Sequence, residues 1–394
     1  MDFINEKIEQ TKVSDQCDVF VAGGGVAGVA AALSAAREGA KVILAEKCCM
    51  LGGLATAGLI TIYLPICDGC GRQVSFGMAE ELLKLSVKHG AEVDIPDVWK
   101  EEHTIEERKE ARYRTRFNAQ MFALLAEKIL LENGVKILYD TRFCNAVGDE
   151  KIEYVVIENK SGRSAIEVKA VVDASGDADI CEFIDAPTEE YGDNILAAWH
   201  YYFDGKNYAL KMMGAADNVG ENGKSERLID RSFTGLDGVE ISEMLYLSHK
   251  HILDYVTETK KENPEYVPTT IATIPQLRMT RRIAGEYTMT LADEHKDFDD
   301  SVGLFSNWRK RGPVYALPFS TLYSKKVKNL ITAGRCISCD DGMWEIARVI
   351  PVCAVSGEAA GLAAAMTDDF TSIDIRKLQE KLKSRGVVLS ERDL

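Results

Sequence analysis

The sequence predicts an α/β fold: a parallel sheet flanked by helices, carrying a β-meander and interrupted by an inserted α+β region. Three observations lead there. "CDVFVAGGGVAGVAAALSAAREGAKVILAE", Cys17 to Glu46, reads strand, glycine loop, helix, strand. "KIEYVVIEN" and "RSAIEVKAVVDA" alternate as β-strands around "KSGR". Between about residues 186 and 312 that βαβ rhythm stops.

In the first unit, "CDVFVA" is apolar and β-branched enough for a buried parallel strand. The glycines follow as Gly23-x-Gly25-x-x-Gly28. Gly23 permits the tight turn, Gly25 the close approach of backbone to phosphate, and Gly28 the packing of helix on strand. The helix N-terminus offers free N–H groups and partial positive charge to a pyrophosphate. Glu46 ends the second strand eighteen residues past Gly28, where an acid accepts ribose hydroxyls. Its charge disfavours a 2′-phosphate, so NADP is set aside while NAD and FAD remain.

The next segment separates those two. "KCCMLGGLATAG" has no helical or strand period, and Gly52, Gly53 and Gly58 suit a backbone passing close to another group. A helix is expected at "GMAEELLKLSVKHG", another at "NAQMFALLAEKILLENG", then the strand "VKILYD" and the meander, which ends in "DASGDAD". With "RMTRRIAGEY", "NLITAGRCIS" and "RVIPVCAVSGEAAGLAA", these motifs run from about residue 17 to 366. Together they resemble the FAD-dependent oxidoreductase family of the two-dinucleotide-binding-domain superfamily, related to heterodisulfide reductase flavin subunits.

The resemblance implies a Rossmann-like FAD-binding domain with the flavin lying along the sheet, closed off by a distant C-terminal segment. "NLITAG" would deliver Gly334 and Arg335 to the phosphate and ribityl region; many flavoproteins carry an acid where this chain has Arg335. A phosphate contact or an ion pair with Asp340 or Asp341 is expected of it. Pro351 suits the first residue of a helix running through Ala364, whose N-terminus in the family picture faces the pyrimidine edge of the ring. The small residues of that helix also suit close packing on the sheet. The residues expected to hold FAD are Gly23, Gly25, Val26, Ala27, Gly28, Glu46, Lys47, Gly53, Leu54, Ala55, Gly176, Gly334, Arg335, Pro351 and Val352. No second GxGxxG appears, so electrons are expected from NAD(P)H docking transiently or from a protein donor or acceptor.

A length of 394 residues fits roughly two to three units. The FAD-binding domain is assigned to 15–60, 113–185 and 313–370, a substrate-capping domain to 61–112 and 186–312, and a C-terminal tail to 371–394. A substrate near the flavin needs an anchor and a proton donor or acceptor. Arg278, Arg281 and Arg282 are candidate anchors because guanidinium forks bind carboxylates and carbonyls bidentately. Arg281 and Arg282 also have a plain reading, as partners of Glu286 and neighbouring acids. Arg348, three residues before Pro351, is comparably placed, and His200 in "HYYF" is the candidate acid–base group; buried aromatic packing is its alternative. The catalytic set is Arg282, Arg348 and His200. Trp344 reads equally as a ring-stacking residue or as core filler.

The net charge of −15 argues against nucleic acid or an anionic membrane as a partner. A locally basic site for an anionic small molecule stays open, as does a homo-oligomer. No signal-like segment or membrane span is found in the sequence, and a cytoplasmic protein is expected. Two CxxC pairs, Cys67 with Cys70 and Cys336 with Cys339, raise a metal or redox site. They lie far apart in His-poor surroundings, and no metal is expected. The function expected is hydride transfer between flavin N5 and a small organic substrate, anionic or carbonyl-bearing. The alternative is a flavin-bearing subunit of an electron-transfer complex.

Overall fold

The computed structural model describes residues 10–214 and 227–394. The polar stretch "ADNVGENGKS" and the first nine residues lie outside the described residues. The body is built on strands β1 (Val13–Ala22), β2 (Val42–Ala45), β3 (Lys136–Leu138), β4 (Arg142–Gly148), β5 (Ile152–Asn159), β6 (Gly162–Asp173) and β7 (Leu330–Thr332). Their order is β3-β2-β1-β6-β5-β4, and β7 pairs with β6 beyond β5. β3, β2, β1, β6 and β7 are mutually parallel, whereas β4, β5 and β6 form the antiparallel meander.

One long strand joins the two patterns. Residues 162–167 of β6 pair with β5, and residues 171–173 on the same edge pair with β7. β1 starts four residues before its apolar run, because Val13 to Gln16 pair with β6 across a register shift between Val13 and Asp15 while staying largely exposed.

Helices α1 (Val26–Arg37), α2 (Ala119–Glu132), α3 (Ile350–Met366) and α4 (Ile375–Ser384) complete the body. α3 was expected to lie close to the sheet; its main partner is α1. A Cβ on Gly357 would stand 2.3 Å from Ala27 O, and one on Gly361 2.1 Å from Ala31 O. The two helices therefore meet backbone to backbone. An apolar helix without a polar stripe requires such burial on every side.

The inserted region is α+β. His200–Phe203 is the central strand between Tyr208–Lys211 and Val267–Ile271. Helix Gly238–Glu262, capped by the Asp237 side chain, covers it with Met244, Ser248, Ile252 and Val256, one residue per turn. The expected domain boundaries shift at two places. Thr115–Phe117 pairs with Ile62–Tyr63 and Ala91–Val93, and so belongs to one sheet with the segment 61–112. Ser301–Ser306 pairs with Val314–Pro318, so a cut at 312 falls inside a hairpin. Residues 371–394 are packed, with Leu378 and Leu382 fully buried in α4. No single helix among the described residues is long and apolar enough to cross a membrane.

Candidate active site

The site starts where β1 stops. Gly23 takes φ +100°, and a Cβ there would meet Ala174 O at 2.7 Å. A Cβ at Gly28 would sit 1.8 Å from Gly23 O, so Gly28 serves helix–loop packing and does not line the cavity described below. Gly25 is different. Its backbone is extended, and a Cβ added to it meets no atom within 4 Å.

The second glycine loop runs beside the first. Gly52 N donates to Gly24 O at 2.8 Å, and Gly25 and Gly52 form a parallel bridge. Glu46 braces both loops: Oε2 accepts from Gly24 N and Oε1 from Cys48 N, each at 2.7 Å. Each oxygen thereby uses one acceptor site, and Glu46 still borders the cavity described below.

"DASGDAD" turns out of β6 around buried Asp173. Its Oδ2 accepts from Ile180 N at 2.9 Å and Cys181 N at 3.1 Å, and its Oδ1 from Ser175 Oγ at 2.6 Å. Burial raises its pKa, and these donors oppose the rise. The Arg335 guanidinium lies across Gly176, where a Cβ would meet Nη2 at 2.2 Å. Its Nη1 donates to Leu277 O at 2.7 Å, and Nη2 pairs with Asp177 Oδ1 at 3.5 Å. The expected partners Asp340 and Asp341 are engaged elsewhere: Asp340 accepts from Met343 N, and Asp341 opens the helix Asp341–Ala347. Gly334, at φ +74°, donates its N–H to Ser356 Oγ at 2.9 Å, which ties the end of β7 to α3.

These loops border a cavity of about 560 Å³, within the ~300–1,000 Å³ typical of small-molecule and cofactor sites. From the glycine loops it is lined by Gly23, Gly25, Val26, Ala27, Gly53, Leu54 and Ala55, and from β2 by Glu46 and Lys47. Gly176, Gly334 and Arg335 line it from the β6 and β7 ends. Pro351 and Val352 do not. They are buried, and Val349, Ile350 and Cys353 face the cavity instead.

Of the three residues expected to be catalytic, Arg348 lines the cavity and pairs with Glu345 at 3.7 Å. Arg282 does not. It lies on the strand Arg281–Ile283, pairs with Glu189 on the neighbouring strand, and holds its guanidinium 5.8 Å from the ring centre of Trp344. Arg281 binds Asp179 at 3.2 Å and Glu182 at 3.3 Å. Glu286, offered as their partner, pairs with Lys325. Trp344 is core filler, 1% exposed, with Nε1 donating to Arg335 O.

His200 is also displaced from its expected place. It is fully buried among Tyr202, Tyr255 and Tyr266, with Nε2 3.0 Å from Tyr266 Oη. Burial lowers its pKa, which favours the neutral imidazole. Its neighbour Trp199 lines the cavity instead, with Ile241, Leu245, Thr273 and Arg278. Alternation carries the signal: Trp199 and Tyr201 share one apolar cluster, while Tyr202 packs with Tyr266 in another.

The sequence reading also missed Ser175, Asp177, Arg142 and Cys353. Cys353 is a neutral thiol, pushed up to about 11 by burial. All ten cysteines are free, and Cys336 accepts a hydrogen bond from Ala178 N.

A dinucleotide fits these residues. The open space at Gly25, the N-terminus of α1 and the basic side chains of Lys47 and Arg142 form a cradle for a pyrophosphate and its nucleoside. Such a cradle at the carboxyl ends of β1 and β6 defines the dinucleotide-binding class of α/β proteins. The chain matches the family of FAD dependent oxidoreductases over residues 18–195 and 195–382, and it belongs to that family. It is an enzyme, and FAD is its cofactor.

No curated protein matches the chain. Among solved structures, it is similar to a geranylgeranyl bacteriochlorophyll reductase-like protein from Thermoplasma acidophilum. That match has 13% identity and a TM-score of 0.47, covering 94% of this chain and 84% of the other. It is also similar to p-nitrophenol 4-monooxygenase from Pseudomonas putida, with 13% identity and a TM-score of 0.42, covering 96% and 82%. A third, the THI4 protein of Thermovibrio ammonificans, has 18% identity and a TM-score of 0.33, covering 46% and 68%.

Proposed function

We propose that this FAD-dependent oxidoreductase transfers a hydride between flavin and a small organic substrate, anionic or carbonyl-bearing, held under the inserted region. One observation supports the reading. The cavity that begins at the dinucleotide loops continues, without a dividing wall, to Trp199, Leu245, Thr273 and Arg278 of the inserted region. FAD bound there supplies two-electron redox chemistry at its ring system.

The chain's own groups do the rest. Backbone at Gly25 and the N-terminus of α1 hold the phosphates, Arg278 and Arg348 offer guanidinium forks to a substrate oxygen, and the apolar walls exclude water. Electrons are exchanged with transiently docked NAD(P)H or with a protein partner, since the sequence carries one GxGxxG only.

The test is direct. The purified protein should carry FAD, and anaerobic reduction followed by substrate screening should reoxidise it. Gly25→Val should leave the flavin-free protein folded, since a Cβ there meets no atom within 4 Å, with at most a small drop in melting temperature from the poorer N-cap. Its FAD affinity should fall by about tenfold or more, ~1.4 kcal/mol. A Gly25→Val protein that retains wild-type FAD affinity would refute this placement of the cofactor. Reoxidation by protein acceptors alone would favour the electron-transfer subunit.

A further inference from the structure

Three segments are knitted together behind the part of the cavity lined by Leu64 and Trp308. Leu64 leads into a hairpin in which Cys67 pairs with Gln73. Trp308 lies in the turn between the strands Ser301–Ser306 and Val314–Pro318. The two turns are pinned to each other, since Gly312 N donates to Asp68 O at 2.9 Å and Ser306 Oγ to Cys67 O at 2.8 Å. Residues 112–114 clasp both: Tyr113 N donates to Cys67 Sγ at 3.2 Å, and Arg112 Nη1 to Trp308 O.

This platform carries cations without counter-charge. Arg114, Lys310 and Arg311 are exposed, and Arg112 is half-buried. Among the described residues, none of these four takes part in an ion pair. Asp68, the acid of the hairpin, is engaged by Arg72 Nε at 2.9 Å and by the Cys70 amide at 2.7 Å. Arg309 on the same turn is paired with Glu345 and is not counted. Gly69, at φ +75°, lets two of the cations close on one spot. A Cβ there would stand 2.9 Å from Arg311 Cγ and 3.2 Å from Arg112 Nε. Burial lowers the pKa of Arg112, and the like charges of Arg311 and Arg114 add to the fall. In a chain of net charge −15, these cations are held together against their own repulsion.

We infer that Arg112, Arg114, Lys310 and Arg311 dock the 2′-phosphate of NADPH, the electron donor in the reaction proposed above. The inference rests on that reading and names its donor. A terminal phosphate presents three acceptor oxygens and so engages two guanidinium forks at once, whereas NADH has no such group. Glu46 disfavours a 2′-phosphate at the first glycine loop, and Arg112 and Arg311 stand outside the cavity that this loop borders. The nicotinamide gives up a hydride from C4 and leaves as NADP+; the oxidised flavin gains that hydride with one proton from solvent.

Calorimetric titration of the FAD-loaded protein with 2′,5′-ADP and 5′-AMP reads the site without turnover. The 2′-phosphorylated nucleotide should bind about tenfold or more tighter, and the advantage should shrink as salt is raised. In anaerobic rapid mixing, NADPH should half-saturate flavin reduction at a concentration lower than NADH does, by a similar factor. Arg311→Gln, at an exposed position, should raise that concentration about tenfold for NADPH and leave it unchanged for NADH. Flavin content and melting temperature should persist. Arg114→Gln should act in the same direction, and Arg311→Lys should recover part of the preference.

Equal binding of 2′,5′-ADP and 5′-AMP would overturn the inference. So would an Arg311→Gln protein that keeps the full preference for NADPH, or a flavin reduced by an acidic carrier protein and by neither nucleotide. Flavin-loaded protein that gives any of these results refutes the donor alone, whereas protein that takes up no FAD refutes the proposed function as well.

Discussion

Glu358 is a carboxyl in the middle of α3, 4% exposed, whose Oε2 accepts from Met78 N at 2.8 Å. Burial pushes its pKa up to about 7, with the Met78 amide and Arg385 opposing the rise. The folded chain therefore binds this proton more tightly than the unfolded chain, whose carboxyl titrates near 4.5. Stability from this group is complete below the unfolded value and is lost as pH rises towards about 7. Glu358→Gln keeps an acceptor for Met78 and removes the buried charge. It should be more stable than wild type above pH 7, by ~2–3 kcal/mol, and its melting temperature should vary less between about pH 5 and 8. Melting curves at several pH values decide the point. A mutant that parallels wild type across that range would show that Glu358 does not drive the effect.

The contact between α1 and α3 shows what an element can and cannot declare in sequence. Pro351 and the small-residue run gave the start and extent of α3 within about two residues. They gave no rotation, because a helix of mostly small apolar residues, with Glu358 its one charged group, has no stripe to aim. Pro351 and Val352 were expected at the cofactor from the family picture, and Val349, Ile350 and Cys353 line the cavity instead. The glycine loops were legible because each glycine answers a local backbone demand. Arg282 was not, because its partner Glu189 lies 93 residues away on a three-residue strand too short to show a period. Gly361→Ala puts a methyl 2.1 Å from Ala31 O and should cost ~1–3 kcal/mol, as overpacking does. FAD affinity should fall with it, since Ala27 on the same helix as Ala31 lines the cavity. Chemical denaturation and flavin titration measure both, and a Gly361→Ala protein as stable as wild type would contradict the backbone contact.

At the scale of the molecule, the cavity is walled jointly by sheet ends, glycine loops and inserted region, so ligand binding and folding are coupled. Stripped of flavin, the protein should melt at a lower temperature, and added FAD should restore it in a concentration-dependent manner. The expected gain is ~2.7 kcal/mol at a hundredfold excess over Kd. A melting temperature indifferent to FAD would contradict a shared wall. The sequence announced two bodies through the change of rhythm near residue 186. It hid the pairings that stitch them, such as Thr115–Phe117 with Ile62–Tyr63, because three residues make a strand only when a distant partner supplies the hydrogen bonds.

The covering of α1 has a temporal side. Ser34 on α1 donates to Glu358 O at 2.8 Å, and Arg385 reaches back to Ser34 and Glu38. α1 is synthesised more than 300 residues before the segment that covers it. Until that segment emerges its alanine-rich face lacks this partner, and closure must wait for a contact spanning more than 300 residues. An apolar face left open over that interval favours off-pathway association, so refolding yield should fall as protein concentration rises.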